Sequence, residues 1–359
     1  MEPIITVIIP VYNGEKYVKR AVESVVQQPE ADAVEVIIVN DGSTDESGRI
    51  CDELANEYAN VRAQHKDNGG VSSARNQGIK HVKTKYVAFL DCDDWWEPDF
   101  LDASLVEEFS KNDSADVYQF AYQEINHSCS LAKLFPVKDE EKNYSEPELG
   151  RYIWSHPCSF VYKASLLKTY QIMYPIAKVG EDNLFVDMAL FHAKKFKRIN
   201  KVVFSYWENL KSRIHTTGAI TAEKEKYKAF QQEQEYLEKY GAELDAEITF
   251  VWSIAANLPR ICAENDFQTV MTFMDECCIP ILDRRPDIHF REELQSRLVV
   301  WRQTPKRYWR KYRICIGFPL RVKQLCYQIP GVNILFNYLY NLLYRGFVPY
   351  KALRDFGRR

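Results

Sequence analysis

The sequence predicts an α/β fold: a mostly parallel sheet flanked by helices, followed by a helical C-terminal region. Two patterns carry this reading. Up to about Leu90, short apolar runs rich in β-branched residues alternate with stretches of helical apolar spacing, the signature of a parallel sheet covered on both faces. From about Ala219 to Val300 nearly every window has helical spacing, interrupted by Pro259, Pro280 and Pro286.

Taken in order, the expected strands are Ile4 to Pro10, Val34 to Asn40, Val61 to His65 and Tyr86 to Leu90. The helices between them are Glu15 to Gln28, Thr44 to Tyr58 and Val71 to Val82, with Ser43 or Thr44 as the cap of the second. A second stretch, from about Asp116 to Thr217, holds strand-like Val117 to Ile125 and Val202 to Trp207 and a helix from Glu181 to Ala193. The expected divisions are therefore residues 1–115 and 116–218 as two halves of one α/β domain, 219–300 as a helical region, and 301–359 as a basic tail.

Composition excludes several classes. With 359 residues, 46% of them hydrophobic, and a formal charge of −3, the chain is globular rather than collagenous, coiled-coil or disordered. Nine scattered cysteines without a CxxC pair do not form a disulfide framework, and the start MEPIITVIIP lacks the basic segment of a signal peptide. A reducing cytoplasm is the expected compartment.

Charge is distributed unevenly. Residues 301–359 hold thirteen Lys/Arg against one acidic residue, Asp355, a balance of +12, so residues 1–300 carry −15. Within the tail, KRYWRKYR (Lys306 to Arg313) precedes an expected helix after Pro330 and Gly331 in which Asn333, Asn337, Asn341 and Arg345 line one face. A polar stripe of this kind does not suit a spanning helix. It suits one lying in the headgroup plane with Tyr338, Tyr340 and Tyr344 at the interface, so peripheral contact with an anionic membrane at the inner face of the cell membrane is expected. The alternative is a bundle whose charges pair with the acidic body, across a homo-oligomer interface in one version. No recognition motif accompanies the charge, and no nucleic-acid partner is expected.

In α/β sheets of this kind ligands bind beyond the carboxyl ends of the strands. Each expected strand ends in polar residues: Pro10, Tyr12 and Asn13; then DGSTD from Asp41 to Asp45; then DNGG from Asp67 to Gly70; then DCDD from Asp91 to Asp94. Four such clusters at one sheet edge would form one site. Asp91 and Asp93 lie two apart, so both can turn toward one cavity, and neighbouring carboxylates repel unless a cation or hydrogen-bond donors compensate. Their hard oxygen atoms favour Mg²⁺ or Mn²⁺. DNGGVSSARNQG offers backbone N–H groups at a helix start, with Arg75 in the first turns, an arrangement suited to anions.

Together, ITVIIPVYNGEKYVKRAVESVVQQ, VEVIIVNDGSTD, DNGGVSSARNQGI, YVAFLDCDDWWEP and GEDNLF resemble the family 2 glycosyltransferases, which have the GT-A (Rossmann-like) fold. The likeness is close over roughly the first 100 residues and thins to one motif by Phe185. It implies transfer of a sugar from a nucleotide diphosphate donor, usually a UDP-sugar, with inversion at the anomeric carbon and with a divalent cation, Mn²⁺ or Mg²⁺, as cofactor. By the same resemblance Pro10, Tyr12 and Asp41 hold the base, with Asn13 and Gly70 in the same strand-end clusters. Arg75 and Asn68 lie near base and ribose, Asp91 takes a ribose hydroxyl or a metal water, Asp93 binds the metal and Asp94 lies near the donor sugar. In GEDNLF, Asp182 is the expected general base, at a helix start whose dipole favours an ionised carboxylate, and Glu181 orients the acceptor. His215 and Arg213, in KSRIHTTG, are expected against the diphosphate or metal.

The remaining histidines, His65, His81, His127, His156, His192 and His289, show no metal-ligand spacing and read as background. Trp95 and Trp96 either floor an acceptor sugar site or cover the sheet end. The basic tail points to a lipid-linked saccharide acceptor in polysaccharide or glycan assembly. A catalytically inactive nucleotide-sugar-binding or scaffold protein of the same fold is the alternative. A nicotinamide dehydrogenase is disfavoured, because PVYNGE stands where GxGxxG would follow the first strand.

Overall fold

A computed structural model describes residues 2–126, 130–144, 156–209, 217–242, 244–285 and 292–312, without the side chains of 292–296. Two compact units divide the chain, Met1–Ser212 and Arg213–Arg359.

The first unit is built on one sheet. β1 (Ile5–Val11) pairs in parallel with β2 (Val34–Asp41) and β4 (Tyr86–Phe89), and β2 pairs in parallel with β3 (Val61–Lys66). These are the four expected strands, each within a residue or so of its expected bounds; β1, β2 and β4 are buried runs that leave a nearly unbroken apolar signal, and β3 is a half-exposed edge strand. Every residue of β1 is buried. α1 (Val18–Val26), α2 (Ser47–Glu57) and α3 (Val71–His81) connect them. At Gly78, α3 comes so close to β1 that an added Cβ would lie 2.5 Å from Ile8 Cγ2, so only glycine permits this approach.

Beyond β4 the sheet turns mixed. Its order is β3-β2-β1-β4-β9-β6-β10-β5, where β9 (Phe160–Lys163) runs antiparallel to both β4 and β6 (Val117–Ile125), and β10 (Lys195–Trp207) runs parallel to β6. The mostly parallel sheet expected from the sequence is thus parallel only across its first four strands and the β6–β10 pair. The short pieces β5 (Trp95–Trp96), β7 (Leu131–Phe135) and β8 (Glu140–Asn143) had no sequence signal, since two to five residues carry no usable period. α4 (Ala103–Ser110), α5 (Ala164–Thr169) and α6 (Glu181–His192) complete this unit, α6 matching its expected bounds.

The expected cap of α2 is not formed. The helix begins at Ser47, and the Ser43 and Thr44 positions are instead tied to Asn13, whose Oδ1 accepts from the Thr44 N–H at 2.8 Å and whose N–H donates to Ser43 Oγ at 3.0 Å.

The second unit is helical, with long helices Ala219–Glu238 and Ala246–Glu264 and shorter ones at Phe267–Phe273, Ile279–Arg284, Glu292–Gln303 and Pro305–Tyr312. Phe250, Ile254, Leu258, Ile261, Phe273 and Trp301 form the centre of its core. Pro259 does not break its helix as expected. Proline removes the N–H that would bond the carbonyl four residues back, and the Arg297 guanidinium donates to that Ala255 carbonyl at 3.3 Å and to Ala256 at 2.9 Å. Pro280 does not break the helical path either: a π-helical turn, Met274–Cys278, runs directly into the helix Ile279–Arg284, in whose first turn the proline sits. Pro286 and the expected helix after Pro330 lie outside the described residues.

Glu233, buried in the helix Ala219–Glu238, is pushed up by burial to about 8, from an ordinary 4.5. The native state therefore holds a proton that the unfolded chain has lost, and stability falls as pH rises from about 4.5 to about 8. Glu233→Gln should remove that decline, so that thermal melts show its advantage over wild type growing between pH 5 and pH 8.

Candidate active site

The segments beyond the carboxyl ends of β1, β2 and β3 are tied to one another, and Arg75 ties the end of β4 to the start of α6. Tyr12, just past β1, is 51% exposed, an aromatic face open at the sheet edge, while Pro10 is buried within the strand. Asn13 takes a left-handed backbone and ties the β1 end to the β2 end through Ser43 and Thr44.

Asp41 is buried, and both its oxygens are engaged. Oδ1 accepts from Lys66 Nζ at 2.5 Å and from Gly69 N–H at 3.0 Å, and Oδ2 accepts from Gly70 N–H at 2.7 Å. The loop N–H groups expected to receive an outside anion at Gly69 and Gly70 thus already hold an internal one. Asn68 crowds Gly42, where a Cβ would meet the Asn68 backbone nitrogen at 2.6 Å and where φ is +69°, so the β2 and β3 ends are locked face to face.

Arg75, expected near base and ribose, is engaged by two carboxylates of the chain. It is fully buried, its Nη1 donates to Asp182 Oδ1 and its Nη2 donates to Asp91 Oδ1 at 2.7 Å, while Tyr174 lies 4.8 Å from the guanidinium carbon. Burial alone would disfavour its charge, but Asp182 and Asp91 outweigh it and hold the guanidinium well above its ordinary value. One cation therefore joins the strand-end acid to the residue expected as base.

In the DCDD turn, Asp94 is completely buried. Its Oδ1 accepts from the Trp207 N–H at 2.9 Å, and its Oδ2 has no hydrogen-bond partner among the described residues. Burial first, then the charges of Asp93 and Asp91, push this carboxyl well above its usual range. Asp93 is raised by the same causes, burial and then Asp91, against Asn209, whose Nδ2 donates to Asp93 Oδ2 at 2.9 Å. The carboxylate oxygens of Asp91 and Asp94 and a ring nitrogen of His156 lie within 4.8 Å of one another. Asp93, the metal residue of the sequence reading, is not in this group, and His156, read there as background, is. Its segment, HPCS, has no neighbouring ligand at a metal spacing, and only the route of β9 beside β4 brings it here. Burial holds the imidazole below its ordinary range despite Asp91 and Asp182, which keeps it neutral, and its Nδ1 accepts from the Cys158 N–H at 3.4 Å.

Glu181 is buried at the start of α6, and Asp182 beside it is partly exposed. Trp96 is core, packed edge-on against Phe100, whereas Trp95 is half-buried under Arg20. Arg213 and His215 lie outside the described residues.

The fold and this edge are those of a sugar-transferring enzyme. The model of the family described as Glycosyl transferase family 2 matches residues 6–168. The chain is 31% identical over 229 residues to the uncharacterized glycosyltransferase RP339 of Rickettsia prowazekii, an alignment covering 63% of this chain and 69% of that protein. It is 30% identical over 220 residues to glycosyltransferase GlyA of Streptococcus pneumoniae, where 56% of this chain spans only 30% of the relative. Its fold is similar to S. aureus TarS residues 1–349 in complex with UDP-GlcNAc, with a TM-score of 0.60 at 20% identity over 89% of this chain and 91% of that one. The protein belongs to glycosyltransferase family 2 and is a glycosyltransferase.

Because the Asp94 carboxyl is raised by burial, its charge costs stability as pH rises above about 3.8, the ordinary aspartate value. Asp94→Asn keeps the acceptor for the Trp207 N–H. It should melt higher than wild type at pH 7 in metal-free buffer, with the gain shrinking toward pH 4 in thermal melts.

Proposed function

We propose that the protein transfers a sugar from a nucleotide diphosphate, a UDP-sugar, to a hydroxyl of a saccharide acceptor, with inversion. The observation that carries this reading is the shared Arg75 bridge, which sets Asp182 beside the DCDD turn at the carboxyl end of β4. Arg75 holds Asp182 Oδ1, and among the described residues nothing engages Oδ2. That oxygen removes the acceptor proton as the acceptor oxygen bonds to the anomeric carbon. The bond from that carbon to the β-phosphate oxygen breaks, and the nucleoside diphosphate leaves with the electron pair. Buried Glu181 orients the acceptor at the same helix start, and exposed Tyr12 stacks on the base.

A divalent cation fits the turn, because Asp94 Oδ2 is a buried acceptor without a partner among the described residues and the Asp91 and Asp94 carboxylates gather with a His156 ring nitrogen in a group that could hold Mn²⁺. When bound, it would stabilise the charge developing on the leaving diphosphate. Asp91 is a ligand on the sequence reading and in the geometric grouping alike. Asp93 is the second carboxylate of the former and Asp94 that of the latter, and whichever Asn variant loses the Mn²⁺ signal in electron paramagnetic resonance is the ligand.

Incubation with a panel of nucleotide sugars and Mn²⁺ should yield turnover with a UDP-sugar. Asp182→Asn should lower kcat by about 10²–10⁴-fold with donor binding retained, and its melting temperature should fall because buried Arg75 loses one of its two charged partners. Loss of donor binding along with kcat would remove Asp182 from the role of base.

The reading extends to a lipid-linked acceptor in polysaccharide assembly at the inner membrane face. Tyr308 is buried and the Trp309 indole donates to the Asn265 carbonyl at 3.0 Å, so the aromatic residues of KRYWRKYR pack into the helical core and not toward lipid. Lys306, Arg307, Arg310 and Lys311 remain exposed on the other face. No helix among the described residues is long and apolar enough to cross a membrane. Each exposed cation near an anionic leaflet contributes about 1 kcal/mol. The protein should sediment with phosphatidylserine vesicles and be released by salt, and deletion of residues 303–359 should abolish sedimentation; binding that survives the deletion would end the membrane reading.

A further inference from the structure

Arg20 lies in the first of the family-like stretches but carries no role in the sequence reading, yet it touches the acidic turn. It sits on α1, and its Nη2 donates to the Asp93 carbonyl oxygen at 2.5 Å. Its guanidinium carbon lies 4.0 Å from the centroid of the Trp95 ring and 5.6 Å from that of Trp207, and Tyr17, one turn earlier on the chain, packs on Trp207 with centroids 5.3 Å apart. Three separate elements therefore meet on one cation: α1, the residue that follows the DCDD turn, and the end of β10.

The same β10 end holds the turn from its other side. The Trp207 N–H donates to Asp94 Oδ1 and Asn209 Nδ2 donates to Asp93 Oδ2, both at 2.9 Å. Each carboxylate is thus fixed by the 207–209 segment, and the carbonyl beside them is fixed by Arg20. A guanidinium suits this place because it is flat, stacks on indole faces and donates in a set direction. An ammonium would keep the charge and lose the stacking. Three carboxylates within four residues repel one another, and the Arg20 charge partly offsets that repulsion.

We propose that Arg20, clamped between Trp95 and Trp207, is a positioning residue that sets the backbone of the DCDD turn for cation binding. It acts through the Asp93 carbonyl and contacts neither donor nor acceptor. The inference rests on the cation reading above. Two opposite effects of the side chain separate positioning from simple charge. As a nearby positive charge, Arg20 repels a divalent cation. As a brace, it favours one by holding the ligands in place.

The test is Mn²⁺ binding measured by electron paramagnetic resonance on wild type, Arg20→Lys, Arg20→Met and Trp95→Leu, with melting temperatures recorded alongside. Wild type should bind Mn²⁺. Arg20→Met and Arg20→Lys should each weaken it by about 10-fold or more, as loss of an outer-shell partner does. Trp95→Leu, which leaves the charge and loosens the clamp, should weaken it in the same direction by a smaller factor. Unchanged binding in Arg20→Lys, or tighter binding in Arg20→Met, would overturn the positioning role and leave only the charge. Absence of Mn²⁺ binding in wild type would instead overturn the cation reading and this inference with it. If Arg20→Met does not fold, Arg20→Lys and Trp95→Leu decide by the same criterion.

Discussion

The site depends on one buried cation. Arg75 has no water to share its charge with, so it must be matched by acids from the chain, and it draws one from the end of β4 and one from the start of α6. Removing a single partner from a buried ion bridge costs about 3–5 kcal/mol, because an uncompensated charge is left behind. That penalty holds the two halves of the first unit in a fixed relation. It also explains why the residue expected as base faces the acidic turn, although the two come from distant parts of the sequence.

Around this bridge, negative charge is balanced unequally. Asp41 receives an ammonium and two backbone N–H groups, a fully satisfied carboxylate. Asp93 receives one amide donor, and Asp94 one backbone donor with its second oxygen left alone among the described residues. Such an incompletely matched pair of carboxyls is poorly explained by folding, since buried polar groups are ordinarily satisfied. It fits the divalent cation proposed above, and burial and mutual repulsion raise both carboxyls.

Legibility followed the range of the interactions. The first four strands and α6 were readable because each is a contiguous run whose period or apolar content is set by its own residues. The DCDD, DNGG and GEDNLF clusters were readable for the same reason. His156 was not, because nothing near it in sequence marks a ligand, and Arg20 was not, because on α1 it looks like any solvated arginine. Pro259 misled in the other direction: the local rule that proline ends a helix is overridden by Arg297, which supplies a donor to the carbonyl that proline leaves unbonded.

What the amino-acid order determined unaided is the class of fold, the edge of the sheet where chemistry would gather and the acidic residues placed there, all consequences of periodicity and of short segments. Tertiary structure alone decided which charges meet. Arg75 and Asp182 are 107 positions apart, and their pairing follows from the way the sheet brings β4 beside β9 and α6 to the strand ends. Ionic and hydrogen-bond partners are chosen by distance in space and by exclusion from water, and a linear sequence encodes neither of these locally.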